Sequence, residues 1–201
     1  GIDGTFRRLE NMSFFSERGA KGNVYNDKIM NFIPSLTKQH HYNLANIYAY
    51  QAQPNVRLAD ETIVKAGEIG GQIDVFYELK KGSFLGGKNG AKIAFNFSNW
   101  NALGGTFNIT NPKDYQTDFI GFGKKYFSDY NLEFEKKWKK KWHSSFTYIN
   151  QFYNKKLIEE TYSEININVF GAETTYKFGQ SKSVRVLAEH LWADHDKKNW
   201  A

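Results

Sequence analysis

The chain has 201 residues, enough for one domain with a substantial core, and 17 % of them are aromatic, nearly half of the 40 % that are hydrophobic. With 17 Gly and only 3 Pro, this composition favours strands and turns over helices. The absence of Cys excludes cysteine chemistry and gives no support to a disulfide-stapled domain. No run approaches the ~18 apolar residues that a transmembrane helix requires.

The net charge of +6 would suit a nucleic-acid partner. However, the 27 basic residues are interleaved with 21 acidic ones along nearly every segment. A protein that binds polyanions more often gathers its positive charge on one face. We therefore expect no nucleic-acid partner.

The first third of the chain shows only weak alternation. Residues 6–15, 28–37 and 42–51 each contain a short alternating pattern, and each is predicted to form a strand. A polar loop is predicted over residues 53–65.

The clearest strand is predicted over residues 67–80. Its odd positions are mostly apolar, as at Ile73 and Val75, and its even positions are mostly charged, so one face is apolar and the other polar. After a glycine-rich turn at 82–90, alternation resumes over 92–98. The two segments predict a β-hairpin.

A second hairpin is predicted from Asp129 to Phe152. Its turn is formed by three lysines, residues 139–141, and Trp138 and Trp142 flank this turn. Indole rings prefer the headgroup level of a membrane, and ammonium groups lie just beyond it. The turn therefore indicates a membrane boundary.

A third hairpin is predicted from Ile165 to Trp192, with its turn at residues 179–182. Apolar residues lie at odd positions up to Val169 and at even positions from Phe170. This change of phase predicts a β-bulge at residues 169–171.

Short and long connections alternate along the second half, as in outer-membrane barrels with tight periplasmic turns and long external loops. The strands, about eight in number and roughly 10 or more residues long, suit a tilted membrane crossing. We therefore predict an all-β fold, an antiparallel outer-membrane β-barrel or part of a larger one, with residues 1–201 as a single barrel region. The alternative is a soluble β-sandwich or jelly roll with one wet face.

In a barrel of this kind, the polar face of each strand points into the lumen. The predicted lumen-facing residues are Glu68, Gln72, Asp74, Glu78, Asn131, Glu133, Glu135, Arg185 and Glu189. The predicted membrane-interface aromatics are Trp138, Trp142 and Trp192.

The sequence contains no pattern that predicts catalysis, and we expect neither an enzyme nor a cofactor. Metal-ligand residue types cluster only near the end of the chain, at Glu189, His190, Asp194, His195 and Asp196. Their spacing matches no established metal site, so a solvated polar loop is predicted there rather than a metal site.

Three stretches carry a family resemblance: GIDGTFRRLENM at 1–12, IYAYQAQP at 47–54 and GEIGGQID at 67–74. They resemble a family of uncharacterised outer-membrane β-barrel proteins from Bacteroidota. The resemblance implies a barrel of which this chain is an internal portion, and it implies no active-site residues. Barrels of that phylum often serve type 9 secretion or nutrient-uptake complexes, an analogy at the level of the fold.

The expected function is that of a porin-like or transport-associated barrel in the outer membrane of a Gram-negative bacterium, passing small polar solutes. An alternative is a non-conducting barrel that acts as a scaffold or accessory subunit of a type 9 secretion or nutrient-uptake complex. A further alternative is a soluble glycan-binding β-sandwich. The expected partners are outer-membrane lipid and lipopolysaccharide, with subunits of such a complex as further candidates.

Overall fold

The structure is a computed structural model, and it describes residues 1–10, 33–54, 57–60, 63–106, 116–161, 163–179 and 181–195. These residues form an antiparallel all-β fold with very little helix, which confirms the predicted fold class at this level. Within the described part of the chain, no helix is both long and apolar enough to cross a membrane.

Among the described residues there are nine strands and two helical segments, a 3-10 helix at Leu44–Asn46 and α1 at Lys155–Glu159. The strands are β1 Ile2–Leu9, β2 Arg57–Asp60, β3 Ile63–Lys65, β4 Glu68–Leu79, β5 Ala91–Thr106, β6 Gln116–Lys139, β7 Trp142–Asn154, β8 Glu164–Gly179 and β9 Lys182–His195. Seven of them form one sheet in the order β1-β4-β5-β6-β7-β8-β9, and β2 pairs with β3 separately.

The sheet is a meander, so the connections β4–β5, β6–β7 and β8–β9 all lie at one end of it, here called the turn end. The predicted tight turns at 139–141 and 179–182 are confirmed. Ser181 adopts a left-handed conformation with φ of 60°, as a tight hairpin requires.

The sheet is open. Its edges are β1 and β9, and among the described residues these two strands do not pair with each other. Nor do these residues provide a second large sheet of the kind that a sandwich would need, because the only other sheet has two strands.

Pairing residues across the strands separates two faces. One face carries the apolar positions of β4 to β8, such as Val75, Leu132 and Tyr148, and is here called the outer face. The other carries the polar positions, such as Asp74 and Asn131, and is called the inner face.

Residues 33–54, here called the strap, cross the inner face. The buried apolar core lies between the strap and the sheet. One cluster packs Tyr50 against Trp100 and Phe127, and a second packs Tyr42 and Ala45 against β7 and β8. The prediction of a strand over 42–51 is therefore wrong, because these residues form a 3-10 helix and irregular backbone. The side chains of Tyr42, Ala45 and Tyr50 are nevertheless buried against the sheet.

The predicted bulge at 169–171 is also wrong. The register of β8 with β7 and with β9 runs through Val169 and Phe170 without a shift. The apolar residues of β8 change phase because both of its faces need them: Ile165, Ile167 and Val169 are buried under the strap, whereas Phe170 lies on the outer face.

Other boundaries differ from prediction as well. The predicted strand at 6–15 corresponds to β1 as far as Leu9, and its residues 11–15 lie outside the described residues, as do residues 28–32 of the predicted strand at 28–37. Residues 33–37 form no strand. The predicted loop at 53–65 contains the β2–β3 hairpin.

Candidate functional site: an aromatic outer face and a strapped inner face

The outer face presents a continuous apolar surface. One cross-strand row joins Val75, Phe95, Leu132, Tyr148 and Phe170 over five neighbouring strands. The last four of these side chains are between 40 % and 51 % exposed. An exposed row of this length is unusual on a soluble monomer, where apolar patches rarely exceed a few hundred Å².

A second row runs beside the first, nearer the turn end. It joins Tyr77, Ile93, Phe134, Phe146 and Ala172. Like the first row, it contains no charged side chain. The two rows make the middle of the outer face apolar across five strands.

The predicted interface aromatics lie at the margins of this surface. Trp138 and Trp142 lie at the turn end, with ring centroids 5.9 Å apart, and both are exposed. The Lys136 ammonium group lies 5.0 Å from the Trp138 ring. Trp192 is also exposed, farther from the turn end, and its ring contacts His190 edge-on at 4.4 Å. Their placement at a membrane interface stays a prediction.

All nine residues predicted to face a lumen lie on the inner face, as their pairings show. Their surroundings differ, because the strap contacts Glu68, Asn131, Glu133, Arg185 and Glu189. The other four, Gln72, Asp74, Glu78 and Glu135, lie outside these contacts. Whether this face lines a lumen stays a prediction.

The strap holds a buried polar cluster at the centre of the inner face. His40 Nε2 lies 2.5 Å from Asp129 Oδ2, and both side chains are almost fully buried. The Gln151 amide donates to the same carboxylate oxygen at 2.7 Å. Lys38 donates to Glu133 at 3.1 Å and to Asn131 at 3.2 Å. Polar side chains thus attach the strap to β6 and β7.

A second attachment point is Glu68, which is fully buried at the start of β4. Its carboxylate accepts hydrogen bonds from the Arg7 guanidinium at 2.7 Å, from the Gln53 backbone N–H at 2.8 Å and from the Tyr50 hydroxyl. Burial, and then the charge of Glu68, raise the pKa of Tyr50 well above its ordinary value, so this hydroxyl stays a donor. The Tyr50 ring also stacks on Phe127, with centroids 5.2 Å apart.

The third attachment point lies on β8 and β9. The Glu189 carboxylate accepts from the backbone N–H of Leu44 at 2.9 Å and of Asn43 at 3.3 Å, so it supports the start of the 3-10 helix. Beside it, Gly171 leaves room for the Tyr42 ring, since a Cβ at this glycine would lie 2.5 Å from Tyr42 Cε1.

Several buried oxygens of the inner face find no hydrogen-bond partner among the described protein atoms. Ser98, Asp129 and Gln151 form one cross-strand row, and each contributes such an atom. Buried polar atoms of this kind are typically satisfied by ordered water. The inner face therefore has a polar centre beside the apolar clusters that pack under the strap.

His40, Lys38 and Asp129 were not among the predicted site residues. Asp129 occupies a polar position of an alternating strand, so the pattern that selected Asn131 would also have selected it. His40 and Lys38 carry no periodic signal, because the strap reaches the sheet from far away in the sequence.

The metal-ligand residue types near the chain end are not gathered into a site. Glu189, His190, Asp194 and His195 belong to β9, so the predicted polar loop is wrong there, and Asp196 lies outside the described residues. Successive strand residues point to opposite faces, which separates Glu189 from His190. Among the described residues, no group of three or more His, Cys, Asp or Glu could hold a metal ion.

Comparison with known proteins bears on the family alone. No curated protein and no solved structure matches this chain. A family of unknown function, DUF6029, matches residues 1–201. Because the match spans the whole sequence, the chain belongs to the DUF6029 family.

Proposed function

We propose that this chain forms part of the wall of a β-barrel in the outer membrane of a Gram-negative bacterium, with the outer face against lipid and the strap in the interior. The observation that carries the proposal is the exposed apolar surface over β4 to β8, opposite an inner face of buried polar groups. In such barrels, strands alternate apolar residues toward lipid with polar residues toward the interior.

Strand length supports a membrane crossing. The strands β6, β7 and β8 have 24, 13 and 16 residues, whereas a tilted transmembrane strand needs roughly 9–11. Strands of globular sheets most often have about 5–6 residues. Closing this sheet into a barrel requires further strand pairing at β1 and β9, because unpaired backbone groups are costly in lipid.

The strap favours a non-conducting barrel over a porin-like one. An open pore for small polar solutes would need a water-filled inner face, but the strap covers Asp129, Asn131 and Gln151, which are at most 3 % exposed. The proposal is therefore a barrel that serves as a scaffold or accessory subunit of an outer-membrane complex, of which type 9 secretion and nutrient uptake are candidates. Outer-membrane lipid and lipopolysaccharide would surround its wall.

The test of the membrane proposal uses two neighbouring residues of β7 that lie on opposite faces. Phe146→Arg places a charge in the apolar row, which costs about 2–4 kcal/mol if that row lies at the middle of a bilayer. Ser145→Arg places the same charge on the inner face, where Glu135 and Glu173 are its cross-strand neighbours.

We expect the full-length protein and its Ser145→Arg variant to fractionate with the outer membrane and to show heat-modifiable gel migration. The Phe146→Arg variant should lose both properties. Equal behaviour of the two variants, or a wild-type protein that is soluble without detergent, would refute the proposal. In the second case the soluble glycan-binding alternative would take its place.

A further inference from the structure

Positive charge is concentrated at the turn end of the sheet. The three connections there and the flanking strand ends, residues 78–92, 135–143 and 175–185, contain twelve Lys or Arg and two Glu, a net charge of +10. The other residues contain 15 basic and 19 acidic side chains, a net charge of −4. The fold therefore separates charges that are interleaved along the sequence, because the meander brings three distant turns together.

These charges are available to a partner. Eight of the lysines are exposed at or beside the tips of the connections: Lys80, Lys81, Lys88, Lys139, Lys140, Lys141, Lys177 and Lys182. Within the described part of the chain, the close ion pairs of these residues include Lys92 with Glu78 at 3.4 Å. Arg185 also pairs at 2.6 Å with Glu173, which lies just outside the three ranges. The two Glu of the turn end are too few to neutralise it.

Exposed apolar side chains lie among these lysines. Phe84 is 98 % exposed in the β4–β5 connection, and Leu85 next to it is 49 % exposed. The exposed pair Trp138 and Trp142 lies beside the β6–β7 turn, where the apolar outer face ends. Aromatic rings beside ammonium groups are typical of the level at which lipid headgroups meet acyl chains.

We propose that the turn end binds the phosphates of anionic lipid headgroups in the adjacent membrane leaflet, with Phe84, Trp138 and Trp142 at the level of the acyl boundary. This inference rests on the proposed function and adds the class of lipid. Eleven of the twelve cations are Lys, which bind phosphate as point charges, whereas Arg is the side chain that most often reads nucleic-acid bases. A DNA duplex, whose bases are stacked inside the helix, would also leave the exposed aromatic rings in water.

The experiment follows flotation of the full-length protein with vesicles after dilution from urea. One set of vesicles is pure phosphatidylcholine, and the other contains phosphatidylglycerol as the anionic component. The variant is K139Q/K140Q/K141Q, because these three lysines are exposed at the tip of one turn. Three lysines near an anionic surface change the partitioning of a protein onto the membrane by up to about 100-fold at low salt.

The control variant is K124Q/K125Q/K155Q, which removes three charges at the opposite end of the sheet. We expect the wild-type and control proteins to need at least about tenfold less lipid for half-maximal flotation when phosphatidylglycerol is present. The K139Q/K140Q/K141Q variant should lose most of this difference between the two kinds of vesicle, while it floats normally with phosphatidylcholine. High salt should remove the difference for all three proteins.

The outcomes separate the two proposals. Failure of the wild-type protein to insert into either kind of vesicle would refute the membrane proposal itself. Normal insertion without a phosphatidylglycerol effect, or an equal loss in both triple variants, would overturn the anionic-lipid inference alone. Tight, salt-sensitive binding of a random DNA duplex that requires residues 139–141, with no lipid effect, would overturn it in favour of a nucleic acid.

Discussion

At the scale of single residues, buried polar side chains attach the strap to the sheet. Glu68 has no contact with solvent, and it accepts hydrogen bonds from side chains or backbone of Arg7, Tyr50 and Gln53. A buried carboxylate is stable only when several donors compensate for its lost hydration. Its partners come from β1 and the strap, so one residue of β4 joins three parts of the chain.

Replacing Glu68 by Ala should therefore lower the free energy of unfolding by about 3–5 kcal/mol, because the Arg7 guanidinium loses its partner in a largely buried site. Glu78→Ala is the matched control on the same strand and face. Glu78 is mostly exposed and pairs with Lys92 at 3.4 Å, so a change of about 0–1 kcal/mol is expected. Urea denaturation in detergent micelles measures both, and equal effects would contradict the assigned role of Glu68.

Gly171 offers a second test at this scale. Gly171→Ala should cost about 1–3 kcal/mol, because its Cβ would overlap the Tyr42 ring at 2.5 Å and the strap would have to shift. Gly4→Ala is the control, since the nearest atom to its Cβ would be 3.9 Å away. Combining Gly171→Ala with Tyr42→Ala should make the glycine substitution nearly neutral. A full additive loss in the double variant would exclude the overlap as the cause.

At the scale of elements, the strap and the strands differ in what holds them. The strands are paired through continuous ladders of backbone hydrogen bonds, whereas the strap contacts the sheet through side chains such as His40, Lys38 and Tyr50. A segment that is not part of a backbone hydrogen-bond ladder can open without loss of the sheet. We therefore expect hydrogen–deuterium exchange of the backbone amides to increase first in the strap when its contacts are mutated.

We predict that His40→Ala increases hydrogen–deuterium exchange over residues 33–54 by about tenfold or more, because Asp129 is left buried with one partner fewer. Exchange in β6 and β7 should change much less. Gln39→Ala, at an exposed neighbouring position, is the control and should leave the strap unchanged. Parallel increases in strap and strands would show that the strap is not a separate unit.

At the scale of the whole molecule, the two faces and the two ends of the sheet differ in chemistry. The outer face is apolar and exposed, the inner face buries polar groups and apolar clusters under the strap, and the turn end carries a net charge of +10. Under the proposed function these differences would orient the wall in a bilayer.

In a planar bilayer, the full-length protein should show no steady conductance, because the strap covers the centre of the inner face. A variant that replaces residues 35–52 by a short Gly-Ser linker should conduct, provided that heat-modifiable migration shows that the barrel still forms. Steady conductance of the wild-type protein would instead support the porin-like alternative. A folded but silent strapless variant would show that another part of the chain fills the interior.

Local residue patterns were enough to predict the three hairpins that form most of the sheet, together with their turns and their two faces. Alternation has a period of two in any paired strand, so local residues such as Ile73 and Asp74 reveal their opposite faces without knowledge of their neighbours. The hairpins after Leu79 and around residues 139–141 follow from the same local rules. This is why all nine residues predicted to share a face do so.

Contacts between distant parts of the chain determine how the inner face is covered and where positive charge is concentrated. The strap has no period, and its contacts, such as His40 with Asp129, join residues 89 positions apart. The strap packs on apolar residues of β8 that lie on a face expected to be polar. These residues caused the change of phase from which a bulge was predicted. The lysines of three turns become one cationic end only when the meander places those turns side by side, a consequence of long-range pairing that no local pattern contains.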